Sequence, residues 1–365
     1  MAEPTKTIQN IFNNQCNIDD LISSAHLLLG SNDEKIVHDF LEIGHLPMVN
    51  RLICKADKVN EWFHLLHRLI LQTNFNVYSL IKQRVLRYED KALFQTISGN
   101  NVISLSYNEV WEIVQSIGSF FHSNLKDNNT VGILTPNNIN GVLIDLACLA
   151  YGIRVVPIPI NVSPDHLNYV LNHAEITHLF TGSDQARELL AKAKRSSSEL
   201  NSIQIDNNGE WQAFLDICKN FSIINAPTKD NQSLATIMYT SGTTDNPKGI
   251  IFNHENIISK RFARALALPE IGPRDRFLCY LPLYHTFGRW FEMMGAIFWG
   301  TTYTFTESTS FKTLLRDFKT AQPSVFISIP KRWIQIQEQV AASISIEESS
   351  DEEITKVTVA ITGGK

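Results

Sequence analysis

The sequence predicts an α/β fold of largely parallel sheets flanked by helices, preceded by a small helical segment. Three observations predict it. Residues 1–72 carry apolar residues at helical spacing and lack strand signals. From residue 73 onward, short β-branched runs alternate with helical stretches. The composition, 44% apolar and 19% charged, can bury a core rather than remain disordered. A length of 365 residues allows two or three domains. The change of texture sets the division, a helical extension over 1–72 and a second domain over 73–365.

In the extension, Leu21, Ile22, Ala25, Leu28 and Leu29 recur at helical spacing, as do Trp62, Leu65, Leu66, Leu69 and Ile70. His64 and His67 stand three apart on that second helix. They read as a partly exposed face, because no third metal ligand is near in sequence. In the second domain Ser106 and Glu109 form a capping box ahead of a helix carrying Val110, Trp111, Val114, Ile117 and Phe121. Thr130–Thr135 reads as a buried strand stopped by Pro136. Arg154–Ile160 is apolar and β-branched, and its prolines place it near a sheet edge or a bend. Ser163 then caps a helix with Pro164 at its first position. Further strands are expected at His178–Thr181, Leu234–Thr240, Phe277–Leu281, Thr302–Thr306, Val325–Ile329 and Val357–Thr362. Residues 194–202 read as a surface loop, and the acidic run 347–353 as a solvated one.

The charges exclude one class of function. With 32 basic and 37 acidic residues the net charge is −5, so the chain lacks the basic footprint of a nucleic-acid binder. Five cysteines are scattered at positions 16, 54, 148, 218 and 279 without a CxxC pair. They encode neither a disulfide framework nor a zinc knuckle, and a reducing cytoplasm is the expected compartment. No secretory leader is visible. The most apolar long run, Gly141–Ile160, is interrupted by Asp145 and Arg154. It reads as a core helix and a buried strand rather than a membrane span. Peripheral membrane association through apolar loops stays open, with no anchor in view.

The segment that speaks to chemistry is Tyr239-Thr-Ser-Gly-Thr-Thr-Asp-Asn-Pro-Lys-Gly249, which follows one strand and leads into another at Ile250–Phe252. Glycine and small hydroxyl residues let backbone N–H groups turn inward around an anion, and Lys248 adds a mobile positive charge. That inventory grips a polyphosphate. It is not a Walker A loop, because Pro247 and Gly249 occupy the positions of the second glycine and the final hydroxyl. His254-Glu255 opens like a zincin motif, but Ile258 stands where the second histidine belongs.

The segment resembles the phosphate loop of the adenylate-forming (AMP-binding) enzymes, whose pattern is [ST]-S-G-[ST]-T-G-x-P-K-G. Ser241, Gly242, Thr243, Thr244, Pro247, Lys248 and Gly249 match it, while Asp245 replaces a glycine and brings a carboxylate near the phosphates. Ile144–Val162, and His254 with Asn256, resemble flanking steps of the same family. Leu281-Pro-Leu-Tyr-His285 resembles its L-P-L-x-H element. Arg289 and Glu292 continue the H-x-F-x-R-x-x-E spacing of long-chain acyl-CoA synthetases, and Gln322–Phe326 and Pro330–Trp333 resemble later steps of that subgroup. The likeness runs from about residue 76 to Ile361-Thr-Gly-Gly364, which is similar to the start of an S-G-G-A-P-L element.

The resemblance implies the N-terminal domain of an adenylate-forming enzyme over residues 73–365, as an incomplete N-terminal part without the C-terminal domain. It implies a fatty-acid–CoA ligase that uses ATP, magnesium and CoA. In it a carboxylate attacks the α-phosphate of ATP to give an acyl-adenylate and pyrophosphate, and the CoA thiol then displaces AMP. By resemblance Thr240, Ser241, Gly242, Thr243, Thr244, Lys248 and Gly249 bind the ATP phosphates, and Thr244 is the candidate magnesium ligand. His285 lines the carboxylate end of the acyl site, and Gly363 and Gly364 border the nucleotide pocket. Neither Lys248 nor His285 is a nucleophile. Two rivals remain, an adenylating enzyme for an aryl or amino acid, and an inactive adenylate-binding or interaction protein.

Overall fold

The computed structural model describes residues 4–15, 17–99, 101–126, 129–193, 200–227, 230–240, 246–308 and 310–347. The chain opens with α1 (Pro4–Phe12), α2 (Ile18–Leu28), α3 (Glu34–Glu42), α4 (Pro47–Lys55), α5 (Val59–Gln72) and α6 (Val77–Tyr88). Side chains at their starts accept the first free N–H groups: Asn17 from Asp19, Asp33 from Ile36 and Asn76 from Ser79. The apolar stripe of α5 buries Trp62, Leu65, Leu66, Leu69 and Ile70, the residues its periodicity marks. That stripe continues into the remainder of the chain: Trp62 and Leu69 belong to one buried cluster with Phe75, Phe262 and Phe298. Among the described residues, no group of three metal-ligating side chains surrounds His64 and His67. His67 Nε2 instead lies 2.8 Å from Glu255 Oε1.

Strands and helices then alternate: β1 (Ala92–Ser98), β2 (Asn101–Ser106), α7 (Tyr107–Asn124), β3 (Thr130–Leu134), α8 (Ile139–Ala150), β4 (Arg154–Ile158), α9 (Pro164–His173), β5 (Ile176–Thr181), α10 (Asp184–Lys192), β6 (Asn201–Gln204) and α11 (Asn208–Lys219). After these come β7 (Leu234–Thr240), β8 (Lys248–Asn253), α12 (His254–Ala267), β9 (Arg276–Cys279), a π-helix (Phe287–Met293), α13 (Met294–Trp299), β10 (Thr302–Phe305), α14 (Phe311–Ala321) and α15 (Pro330–Glu347). The larger sheet has the order β6-β5-β3-β4-β7-β8, parallel except for the closing β7–β8 pair. The smaller has the order β2-β1-β10-β9, parallel except for β1–β2. The capping box at Ser106 and Glu109 and the Ser163 cap with Pro164 both form as the sequence predicts.

Three expectations are corrected. Strand β4 is interior, between β3 and β7, rather than at an edge. Its ladder to β7 stops at the Val155–Thr236 pair, two residues short of Pro157, which has no N–H to extend it. Val325–Ile329 is not a strand, since Val325 makes one isolated bridge to Phe277. The last residues of the supposed loop 194–202 form edge strand β6. Val357–Thr362 and the acidic residues beyond Glu347 lie outside the described residues. Among the described residues, no helix is long and apolar enough to cross a membrane.

Candidate functional site

Because β3, β4 and β7 run parallel, their carboxyl ends, at Leu134, Ile158 and Thr240, open on the same edge of the sheet. Ligands of open α/β sheets bind outside that edge. The chain leaves the sheet at Thr240 and re-enters it antiparallel at Lys248, with Thr240 paired to Lys248 and Tyr239 to Gly249. The second strand therefore begins two residues earlier than the sequence suggests, and Lys248 is held by a sheet ladder at the mouth of its loop. Its side chain is exposed, and Thr240 Oγ1 donates to its carbonyl at 3.5 Å. Gly249 meets a steric demand: a Cβ there would lie 2.9 Å from Ile237 Cγ2 and 3.4 Å from the Tyr239 ring. That ring is pinned in turn by a 2.7 Å hydrogen bond between its hydroxyl and His173 Nδ1. Ser241, Gly242, Thr243, Thr244 and Asp245, like Gly363 and Gly364, lie outside the described residues.

At the carboxyl ends of β3 and β4 is a small, mainly apolar cavity. The ends of β3 and β4 supply Ile133, Thr135, Pro136, Pro157 and Ile158, and α8 with its cap supplies Asn138, Gly141, Val142 and Asp145. Leu283 and Tyr284 of the L-P-L-Y-H segment close it. Asn137 holds that segment in place. Its amide donates to Leu281 O at 2.8 Å, and its carbonyl oxygen accepts from Leu283 N at 2.9 Å. His285 itself is exposed, with its ring against Tyr284 at a centroid distance of 4.7 Å. Partial desolvation by the surrounding protein lowers its pKa below the ordinary imidazole value.

The chain then enters the π-helix, a rare form that often occurs at functional sites. Gly288 is what allows the turn, since a Cβ there would fall 2.4 Å from Pro282 O and 2.7 Å from Leu281 O. Arg289, fully buried, has each of its three nitrogens met by a partner from two other elements. Its Nε and Nη2 donate to the two carboxylate oxygens of Asp145, at 2.8 and 2.5 Å, and its Nη1 donates to Thr236 Oγ1 at 2.8 Å. Thr236 in turn donates to Val155 O at 2.5 Å. Arg289 thus ties the π-helix to α8, β7 and β4 rather than reaching a ligand. Glu292 is buried as well; Tyr303 donates to its Oε2 at 3.2 Å, and burial pushes its carboxyl well above the usual range. Farther on, the Arg276 side chain donates to Gln322 O, and Phe326 packs on Trp333 at 5.3 Å.

Sequence reasoning missed Asn137, Thr236 and the role of Asp145. For Asp145 a signal existed: it is the one charged residue in the mainly apolar helix α8, and a buried charge requires a partner. Nothing local marks Asn137 or Thr236, whose partners lie far away in sequence.

The profile of the AMP-binding enzyme family matches residues 81–365, more than three quarters of the chain. The chain belongs to the AMP-binding enzyme family. Among curated relatives, long chain acyl-CoA synthetase 7 of Arabidopsis thaliana is 28% identical over 257 residues, covering 66% of this chain and 36% of that protein. A human long-chain-fatty-acid–CoA ligase is 25% identical over 286 residues, covering 74% and 43%. The chain thus matches 36–37% of the length of the first curated relatives. Among solved structures, VinN superposes with a TM-score of 0.63 at 16% identity, covering 73% of this chain and 64% of that one. ATP-bound MatB from Rhodopseudomonas palustris gives a TM-score of 0.61 at 20% identity, covering 72% and 51%. The fold of this AMP-binding chain is that of the adenylate-forming enzyme N-terminal domain.

Proposed function

We propose that this chain binds ATP and a long-chain fatty acid for the acyl-adenylation step of a fatty-acid–CoA ligase. The observation that carries the proposal is the β7–β8 hairpin. It sets Lys248 opposite Thr240 at the carboxyl edge of the parallel strands, the edge that also carries the cavity closed by Leu283 and Tyr284. Lys248, with Thr240, Ser241, Thr243, Thr244 and the backbone at Gly242 and Gly249, holds the β- and γ-phosphates and orients pyrophosphate as leaving group. Such preorganised donors stabilise charge where it develops. The fatty-acid carboxylate, near His285, attacks the α-phosphorus; a new P–O bond forms and pyrophosphate departs. The thiol of CoA then displaces AMP. Thr244 would hold magnesium through its hydroxyl, and the ion would offset phosphate charge. The similarity to long-chain acyl-CoA synthetases supports the choice of acid.

The test is titration with a non-hydrolysable ATP analogue. Lys248→Ala removes a charge-assisted contact and is expected to weaken binding about tenfold. Equal affinity in the two proteins would remove Lys248 from the site. Pyrophosphate exchange with palmitate, benzoate and amino acids then checks the acid, and activity with benzoate or an amino acid alone would reassign it.

A further inference from the structure

A second cavity, of about 270 Å3, lies between β8, the start of α12 and the π-helix. Its walls are mainly apolar, formed by Ile251, Phe252, Ile257 and Trp290, with Asn256 and Lys260 as the polar lining beside Arg261, and the Phe252 and Trp290 rings lie 5.6 Å apart. Into this lining α12 places Arg261, which is only 4% exposed. Among the described residues, neither its Nε nor its Nη1 meets a hydrogen-bond partner. The charged groups near it are also cations: Lys260 on the same lining, and Arg264, itself turned over the Phe291 ring at 4.7 Å. Burial beside Arg264 lowers the Arg261 pKa to about 9, which leaves it charged at neutral pH.

A guanidinium in an apolar cavity without an acid is costly to the fold, because desolvation goes uncompensated. An alkyl chain end entering the cavity would leave that cost in place. A carboxylate would remove it, since its two oxygens match the guanidinium fork and form charge-assisted bonds. Trp290, on the cavity wall, belongs to the π-helix that begins two residues after His285. We propose that this cavity receives the second carboxylate of an apolar-bodied dicarboxylic acid, so that the chain prefers a diacid to the monoacid of equal length. The inference rests on the binding of carboxylic acids proposed above.

Calorimetric titration of the purified chain with dodecanedioate and dodecanoate tests it. The wild type should bind the diacid about tenfold more tightly. Arg261→Met should abolish that preference and leave dodecanoate binding unchanged, while Arg261→Lys should keep part of it. Without ligand, Arg261→Met should melt at or above the wild-type temperature, because it removes an uncompensated buried charge. Equal binding of the two acids by wild type, a preference that survives in Arg261→Met, or a lower melting temperature for that variant would each overturn the inference. Binding of dodecanoate without a diacid preference sinks only this inference, whereas binding of neither acid sinks the carboxylate-binding function as well.

Discussion

Three guanidinium groups are buried among the described residues, and the two at the π-helix, Arg289 and Arg261, are treated in opposite ways. Arg289 is fully enclosed, with Asp145 and Thr236 meeting its Nε, Nη1 and Nη2. Arg261 is nearly as deep, yet borders a cavity with its Nε and Nη1 unmet among the described residues. Glu292, three residues beyond Arg289, is another buried ionisable group, and burial drives it toward the protonated, neutral form. A carboxyl can escape an apolar site by taking up a proton, but a guanidinium cannot shed one at neutral pH. The comparison teaches that burial alone does not mark a functional charge. What marks it is burial without protein partners, at a place a ligand can reach.

The strongest way to break this comparison is to make Arg289 resemble Arg261. Asp145→Ala leaves the Arg289 charge buried and unpaired, and should cost about 3–5 kcal/mol in urea denaturation. The double variant Asp145→Leu with Arg289→Met should recover most of that loss, because an apolar pair needs no partner. A loss under about 1 kcal/mol for Asp145→Ala would show that the pair does not hold the π-helix in place.

A smaller effect is expected at Gly288, just before Arg289. The carbonyl oxygens its Cβ would strike belong to backbone, which cannot rotate away as a side chain can. Gly288→Ala should therefore destabilise by about 1–3 kcal/mol. It should also disturb both arginine sites, since the π-helix carries Arg289 itself and Trp290 of the Arg261 cavity. A thermal melt unchanged from wild type would mean that the π-helix shifts at no cost.

Glu292 sharpens the comparison through pH. Its folded pKa is raised above the ordinary value of 4.5, so the folded state keeps a proton that the unfolded chain releases. Stability from this group is fully present below about pH 4.5 and is lost as pH rises toward the folded pKa. The slope is up to about 1.4 kcal/mol per pH unit in that window. Glu292→Gln should lose this slope, which denaturation at pH 5, 6, 7 and 8 would reveal. Parallel pH profiles for variant and wild type would show Glu292 to be ionised in the folded protein.

The sequence by itself determined what neighbouring residues decide. The Ser106–Glu109 capping box, the Ser163 cap with Pro164 and the α5 stripe all formed where they were read, because each depends on contacts three or four residues apart. Much of the order of strands and helices was legible for the same reason, but β1, β2 and β6 went unread and Val325–Ile329 formed no strand. Tertiary structure alone decided where those pieces meet. Pro157 proved interior because β7, from far along the chain, pairs beside β4 only up to Val155. Arg289 and Glu292 stood together as a motif, yet the fold made the first an ion-pair anchor to Asp145 and left the second a buried carboxyl beside Tyr303. Asn137 grips Leu281 and Leu283, more than 140 residues away, with no local pattern to announce it. A sequence states which charges exist, but the free energy of each depends on what surrounds it, and those surroundings exist only once distant elements have packed.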